Sequence, residues 1–201
     1  MGAYYYLVPQ LSYLIYGQTP PITSEEFRGI TMPLLTEQDA ALMDLIGLDP
    51  LPLKPDDKKP GPAYAGNIPA CGCEFIDNWR EWERALRLNL AKLRFIKTKR
   101  EGVLPVEAPG SPADAVSVAN KVINEGPMEG ENLIDKARWN AIEALQGTDY
   151  FDRNTIFAYL LKIMILERQA LFQTDTGYSE YKSLCDSILE QAGTLTAGES
   201  T

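Results

Sequence analysis

Apolar side chains recur every three or four residues from Phe75 to Ile96, and most positions between them are charged. The apolar positions are Phe75, Trp79, Trp82, Leu86, Leu90, Leu93 and Ile96. Residues spaced in this way lie on one face of an α-helix. We therefore predict a single amphipathic helix over about residues 75–100, about 39 Å long at 1.5 Å per residue and roughly twice the average length. A helix of this length spans a whole domain or projects from it.

Two shorter helices are predicted before the long helix. Thr23 stands shortly before Glu25 and Glu26, and Thr36 stands directly before residues 37–39, which are Glu, Gln and Asp. This pattern is typical of a helix start, because the hydroxyl caps the helix and the acids face the positive end of its dipole. The second of these helices should end at Gly47. Its expected apolar face consists of Ala41, Leu42, Leu45 and Ile46.

The first residues of the chain are harder to assign. Tyr4–Tyr16 reads either as a strand or as a short helix interrupted at Pro9, and its many aromatic residues suggest that it is buried.

Four more helices are predicted after the long one. They span residues 112–124, 133–145, 155–173 and 178–191. The third, capped by Asp152 or Asn154, is apolar almost all round and should form the centre of the core. Because alternating strand patterns are nearly absent, the expected fold is all-α, a helical bundle with one long amphipathic helix.

Two proline-rich stretches, 49–72 and 102–112, interrupt these helices. Proline fixes φ and lacks a backbone donor, so both stretches are predicted to be irregular connections. The second separates an N-terminal region, 1–101, from a C-terminal helical bundle, 111–192. Residues 193–201 are small and polar and are expected to form a flexible tail.

Charge and hydropathy limit the partners and the location of the chain. The formal net charge of −9 argues against nucleic acid and against anionic membranes. The sequence contains no stretch of about 18 apolar residues, the length that spanning a bilayer requires. A secretory signal begins with a region that carries Lys or Arg, and the apolar start of this chain has neither before Arg28. Three cysteines, an odd number, favour reduced thiols. We expect a soluble cytoplasmic protein.

Little in the sequence indicates catalysis. The chain has no histidine, which excludes the common Ser–His and Cys–His nucleophiles and most zinc hydrolase patterns. The acidic pairs lie at helix starts or in loops, and no phosphate-binding glycine loop is present. Cys71 and Cys73, with Cys185, are too few soft ligands for a typical metal site. We therefore predict no enzyme activity, no cofactor and no metal.

The long helix carries a basic stripe without acids from Arg84 to Arg100. One interpretation is a solvated helix face whose cations suit the C-terminal dipole, and this is the more common case. The other is that the stripe meets an acidic partner or the chain's own acidic helices. The tryptophans are either core anchors or interface anchors. The candidate partner-binding residues are Trp79, Trp82, Arg84, Arg87, Lys92, Arg94 and Lys97.

Several segments resemble a bacterial family encoded among V-type ATPase subunits. They are Tyr4-Tyr5-Tyr6-Leu7-Val8-Pro9-Gln10-Leu11, Pro20-Pro21-Ile22-Thr23-Ser24-Glu25-Glu26-Phe27, Trp79-Arg80-Glu81-Trp82-Glu83-Arg84-Ala85-Leu86-Arg87 and Ala158-Tyr159-Leu160-Leu161-Lys162 with Glu167-Arg168. That family is similar in turn to the C (or d) subunit of V/A-type ATPases, an all-α protein without an active site. The chain differs from it in being much shorter and in its proline-rich stretches.

The resemblance implies a role, a location and partners. The C (or d) subunit sits in the mouth of the membrane rotor ring and receives the central stalk, so it couples the two during proton or sodium transport. The expected partners are therefore the rotor ring and the central stalk. The chain would be peripheral to the inner membrane through the complex, with membrane association only through its partners. The alternative is a generic cytoplasmic adaptor that binds an acidic protein.

Overall fold

The computed structural model describes residues 4–49, 70–98 and 112–171, and within these ranges it contains helices and no strand. The all-α prediction is therefore confirmed. None of the described helices has the length and apolar content that spanning a bilayer requires. The α-helices are α1 Ser24–Thr31, α2 Glu37–Met43, α3 Glu74–Lys97, α4 Ala113–Val122, α5 Pro127–Gln146 and α6 Arg153–Leu171, with short 3-10 helices at Val8–Gln10 and Met32–Leu34.

Helix α3 is the predicted long helix, and it continues without interruption to Lys97. Its neighbours cover more of its circumference than the apolar pattern indicates, because polar side chains are buried beside the apolar ones. Arg80, Glu83 and Arg84 are all at most 9% exposed. The exposed residues lie near its two ends, Glu74 and Asn78 at the start and Arg94, Ile96 and Lys97 in the last turns. Most of α3 is thus enclosed by the fold and does not project from it.

The predicted hydroxyl caps of α1 and α2 are both present. Thr23 Oγ1 accepts a hydrogen bond from the Glu26 amide at 3.1 Å, and the Glu26 carboxylate accepts one from the Thr23 amide at 2.9 Å, which is a reciprocal capping box. Thr36 Oγ1 accepts from the Asp39 amide at 3.2 Å.

Helix α2 ends at Met43, earlier than the sequence pattern suggests. Of its predicted apolar face, Leu42 and Ile46 are buried, whereas Ala41 and Leu45 are exposed. The prediction was wrong for both residues. Ala41 lies on the exposed side within α2, and Leu45 lies beyond the C-cap Asp44, where the 3.6-residue period no longer applies.

Helix α5 begins at Pro127, six residues before the predicted start at Leu133. Pro127 lies in the first turn, where its missing N–H is one that no helix can satisfy internally. Gly130 is buried against α4, and a Cβ built there would lie 3.4 Å from Val122 Cγ1. Pro127 thus starts the helix, and Gly130 allows the close approach of α4.

Helix α6 forms the centre of the core, as predicted. Ile156, Phe157, Leu160, Leu161, Ile163, Ile165 and Leu166 are all at most 2% exposed. Of the two candidate caps, Asp152 is the one used, because its Oδ1 accepts from the Thr155 amide at 3.1 Å. The C-terminal limit predicted at 173 lies outside the described residues.

The chain divides into two compact units, Met1–Glu167 and Arg168–Thr201. Helix α3 packs on α4 and α5 within the first unit, so the N-terminal region and the first C-terminal helices share one core. The predicted boundary itself lies outside the described residues, as do most of both proline-rich stretches, the helix predicted at 178–191 and the tail at 193–201. Of the second unit, only residues 168–171 at the end of α6 are described.

Candidate partner-binding surface

The two tryptophans proposed for partner binding are buried in the core. Trp79 is 1% and Trp82 is 5% exposed, and their rings stack with centroids 5.8 Å apart. Each indole N–H also has a partner, Gly47 O at 3.0 Å for Trp79 and Asp114 Oδ2 at 2.7 Å for Trp82. They are core anchors that join α3 to the α2 loop and to α4. Their burial favours the core-anchor interpretation of the two that the sequence left open, and a partner-binding role for either tryptophan stays a prediction.

The first two arginines of the stripe are engaged within the chain. Arg84 is buried and makes two hydrogen bonds with the Glu81 carboxylate, at 2.9 and 2.7 Å. Arg87 donates to Glu83 Oε1 at 2.7 Å and is paired with Asp49 at 2.6 Å. Within the described residues, these arginines therefore meet acids of α3 itself and Asp49, and not another acidic helix. Arg84 in particular is not presented to an outside partner.

The exposed part of the stripe is short. Lys92 is half-buried, whereas Arg94 and Lys97 are exposed. Lys97 Nζ donates to the Ile123 carbonyl, which ties the end of α3 to the end of α4. Arg94 lines a shallow cleft together with Glu125 and Glu131. Their partner-binding role stays a prediction, and within the described part of the stripe, residues 84–98, the exposed cations lie in the last turns of α3.

The pairing extends into a buried charge cluster that the sequence pattern did not reveal. Glu83 is fully buried and accepts from Arg138 Nε at 3.0 Å and from Arg138 NH2 at 2.6 Å. Arg138 also donates to Asp135 at 3.0 Å. Burial by itself lowers the pKa of Arg138, but the two carboxylates outweigh it and raise that pKa above its usual value. The cluster locks α3 to α5 with its charges satisfied.

The N-terminal segment, defined here as Tyr4–Tyr16, is neither a strand nor a regular helix. It contains one 3-10 turn and lies across α5 and α6. Tyr4, Leu7 and Leu14 are buried and anchor it. The Tyr159 hydroxyl donates to Ser12 O at 2.9 Å, and the Tyr16 ring meets Trp139 edge-on at 5.5 Å. These contacts hold the segment in a defined position.

Asp39 secures the start of the N-terminal segment. Its carboxylate accepts hydrogen bonds from the Tyr4 hydroxyl and from Arg153, the latter at 3.2 Å. Burial acts to raise the pKa of Asp39, but the hydrogen bonds from Tyr4, Thr36 and Arg153 prevail and hold it below its ordinary value. Burial and the bond to Asp39 also raise the pKa of Tyr4. The first turn is thereby joined to both α2 and α6.

Other aromatic side chains of the same segment point outward. Tyr5, Tyr6 and Tyr13 are 62%, 90% and 89% exposed, so the expectation that the aromatics of this segment are buried was wrong for these three. Tyr5 rests on Phe151 of the α5–α6 loop, with ring centroids 5.0 Å apart, and Tyr150 beside it is 64% exposed. We call these five residues the aromatic surface: Tyr5, Tyr6, Tyr13, Tyr150 and Phe151.

A cleft of about 240 Å³ opens beside Tyr13. Its apolar lining comes from Val8, Leu11, Leu14 and Tyr159, and four of its polar side chains are paired within the chain. Gln146 donates to Thr155 Oγ1 at 3.2 Å, and Lys162 lies 3.2 Å from Glu143. Thr155 Oγ1 in turn donates to Asp149 O at 3.2 Å, so the cleft adjoins the loop that carries Tyr150 and Phe151.

The charges around this surface are mainly acidic. No charged residue occurs between Tyr4 and Ser24, and the loop 147–152 contains two acids and no cation. Asp149 is exposed, and its Oδ1 accepts from the Phe151 amide at 3.2 Å. Burial is the largest cause that raises the pKa of Asp152, and the negative charge of the neighbouring Asp149 raises it further. An absence of charge combined with repeated tyrosines was the sequence signal that could have indicated this surface.

Two of the three cysteines, Cys71 and Cys73, lie within the described residues. Cys71 and Cys73 are free cysteines at the start of α3. The Asp77 carboxylate accepts from the Cys71 and Gly72 amides at 2.8 and 3.2 Å. Burial raises the pKa of the Cys71 thiol, which disfavours the nucleophilic thiolate. Within the described ranges, no three metal-binding side chains are grouped around a common point. The absence of metal and of catalysis stays a prediction.

The comparisons with known proteins concern the C-terminal part of the chain. A family model described as "Protein of unknown function (DUF2764)" matches residues 114–192, which is less than half of the chain. Neither a curated protein nor a solved structure matches the sequence. The described part of the match comprises most of α4 together with α5 and α6, which supply one side of the cleft and the loop of the aromatic surface.

Proposed function

We propose that this chain is a non-catalytic docking component of a V-type (V/A-type) ATPase. In this role it resembles the C (or d) subunit and couples the central stalk to the membrane rotor ring during proton or sodium transport. It would lie in the cytoplasm, peripheral to the inner membrane and attached to it only through its protein partners. The observation that supports docking most directly is the aromatic surface on a firmly held segment.

Several exposed aromatic side chains on a firmly held segment favour a protein-binding role for that part of the surface. Tyrosine carries a large apolar area at a low cost in side-chain entropy and is enriched in protein interfaces. Tyr4, Leu7 and Leu14 of the same segment are buried and anchor it to the core. Tyr5, Tyr6 and Tyr13 are therefore not needed for this anchoring, and they are exposed. A partner that covers these rings removes apolar surface from water.

The assembly is inferred from the resemblance. The opening residues from Tyr4 to Leu11 carry part of the resemblance to the V-type ATPase family, and the same residues supply three of the outward or anchoring tyrosines. Transmission of torque requires stiff elements with broad contacts, and it does not depend on any titrating side chain. The charge cluster between α3 and α5 and the apolar α6 provide such stiffness.

Affinity purification of the tagged full-length chain tests this function. Under gentle extraction from its own cells, we expect proteins of the rotor ring or the central stalk to copurify. The triple substitution Tyr5→Ala, Tyr6→Ala and Tyr13→Ala should abolish this. The matched control is Ile30→Ala with Leu34→Ala, since these residues are also exposed and apolar, at 57% and 59%, but lie outside the aromatic surface. Normal recovery of other proteins without any part of an ATPase would refute the proposed assembly.

A second candidate is an adaptor that binds an acidic partner through the end of α3. The exposure of Arg94 and Lys97 favours it. Charge reversal in Arg94→Glu separates the candidates, because it should weaken capture by an adaptor and leave capture through the aromatic surface unchanged. The readout is the mass-spectrometric ratio of each copurified protein in variant and wild type.

A further inference from the structure

We propose that the aromatic surface recognises a basic, apolar segment of a protein partner. One large apolar side chain of the partner fills the cleft beside Tyr13, and an adjacent arginine or lysine lies against the tyrosine rings. This inference rests on the proposed docking function but not on the identity of the assembly.

The size and lining of the cleft indicate the apolar anchor. A volume of about 240 Å³ is below the roughly 300–1,000 Å³ typical of small-molecule sites and suits a single side chain. Four polar side chains of the lining already have partners, since Gln146 bonds Thr155 and Lys162 pairs with Glu143. An apolar occupant therefore leaves none of these groups unsatisfied, and it gains contact with Val8, Leu11 and Leu14.

The surrounding charges indicate the cation. The exposed carboxylate of Asp149 adjoins the surface, whereas the cations on this side of the molecule are used internally. Arg153 pairs with Asp39, and Lys162 pairs with Glu143. The faces of Tyr6 and Tyr13 are open to solvent and attract a cation through their ring quadrupole.

The same side of the molecule already uses this contact internally. Lys136 Nζ lies 4.5 Å from the Tyr16 ring centroid, and Lys162 Nζ lies 5.0 Å from that of Trp139. The outward rings differ from Tyr16 and Trp139 mainly in that no cation of the described chain covers them. A partner cation would complete the pattern and would also meet the acidic loop.

Other occupants fit these observations less well. A second copy docked through the same surface would place its own Asp149 and outward tyrosines against it, so like charges would face each other. An anionic membrane would be repelled by the acidic loop and by the net charge of −9. A basic protein segment satisfies both the cleft and the charges.

Site-specific photocrosslinking identifies the occupant directly. Benzoylphenylalanine replaces Tyr13 or Tyr150 in the full-length chain in its own cells, with replacement of exposed Ile30 as the control position. We expect crosslinked protein peptides, specific to the two surface positions, with a large apolar residue and an Arg or Lys within about one helical turn, or four residues, of the crosslink. Acidic or uncharged peptides, lipid adducts, crosslinks to this chain itself, or none above the control would overturn the inference.

Variants of Tyr13 separate a cation contact from a merely apolar one. Tyr13→Phe keeps the aromatic ring and should preserve capture of the crosslinked protein. Tyr13→Leu keeps apolar area but removes the ring, so it should lose the cation–π contact and weaken capture. Loss of an exposed cation–π contact of about 0.5–1 kcal/mol corresponds to an approximately two- to fivefold fall in affinity. Asp149→Asn keeps the acceptor for the Phe151 amide but removes the charge, so capture should fall and lose part of its salt dependence. Equal capture by all variants would contradict the cation contact.

The result also distinguishes this inference from the proposed function. Crosslinked basic peptides from a protein outside any ATPase would refute the proposed assembly and support the recognition of a basic, apolar segment. ATPase peptides without a nearby cation would do the reverse.

Discussion

Individual polar residues decide how much of the surface of α3 is hidden. Glu83 follows Trp82 and precedes Arg84 in a charged run that reads as a solvated face. The structure buries it completely and gives it two arginine partners, Arg87 and Arg138. Periodicity reports hydrophobicity alone, so it cannot detect a charge whose partner lies 55 residues away.

The substitution Glu83→Gln should destabilise the fold strongly. It leaves the buried Arg138 with Asp135 as its remaining carboxylate partner, and breaking a buried pair by removal of one partner costs about 3–5 kcal/mol. Asp44→Asn is the matched control, since the Asp44 side chain is 66% exposed and its 3.9 Å pair with Arg28 should contribute less than about 1 kcal/mol. Urea unfolding of both variants gives the comparison, and equal losses would contradict the role of the cluster.

Asp39 makes stability depend on pH in the acidic range. Its folded pKa lies below the ordinary value of 3.8, so its contribution is fully present above that value and is lost as the pH falls through the folded pKa. Asp39→Asn should cost about 1.5–3 kcal/mol at neutral pH, because a charged acceptor is lost. The difference in Tm between the two proteins should shrink below about pH 4. A constant difference from pH 7 to pH 2 would refute this linkage.

At the scale of elements, the sequence predicts helices better than it predicts their ends and contacts. The caps at Thr23 and Thr36 and the apolar α6 follow from local chemistry and could be identified. The start of α5 could not, because Pro127 and Gly130 act as breakers or as helix residues according to whether a neighbouring helix supports them. The end of α2 depends in the same way on side chains from elsewhere, since Arg28 donates to the carbonyls of Met43 and Ile46.

The same substitution should have opposite effects at two glycines. Gly147 ends α5 with φ of 76° and ψ of −160°, a region that essentially only glycine adopts, so Gly147→Ala should cost about 1–3 kcal/mol. Gly29 lies inside α1 and is exposed, so Gly29→Ala should stabilise by about 0.5–1 kcal/mol. Neither added Cβ would meet another atom within 4 Å, so the backbone alone sets the sign. Thermal unfolding of both variants measures it, and a loss at Gly29 would contradict the argument.

At the scale of the whole molecule, the candidate surface combines segments that are far apart in sequence. Tyr5 meets Phe151, and Ser12 meets Tyr159, across more than 140 residues. No local pattern specifies such a pairing, which is why the sequence could assign neither the structure of the N-terminal segment nor the exposure of its tyrosines. The basic stripe, by contrast, was visible in sequence, yet Arg84 is engaged by Glu81 of the same helix and Arg87 by Asp49 outside it.

The shared core predicts one unfolding transition for the described helices instead of separate transitions for an N-terminal and a C-terminal region. Trp79 and Trp82 report on the region before the predicted boundary, and Trp139 reports on the region after it. Because Trp82 bonds Asp114 and Glu83 pairs with Arg138, loss of either region exposes buried polar groups of the other. Urea titrations followed by tryptophan fluorescence and by far-UV circular dichroism should therefore coincide. Trp139→Phe, which leaves only the N-terminal reporters, should show the same midpoint by both probes, and a midpoint that differs between them would mean that the two regions unfold independently.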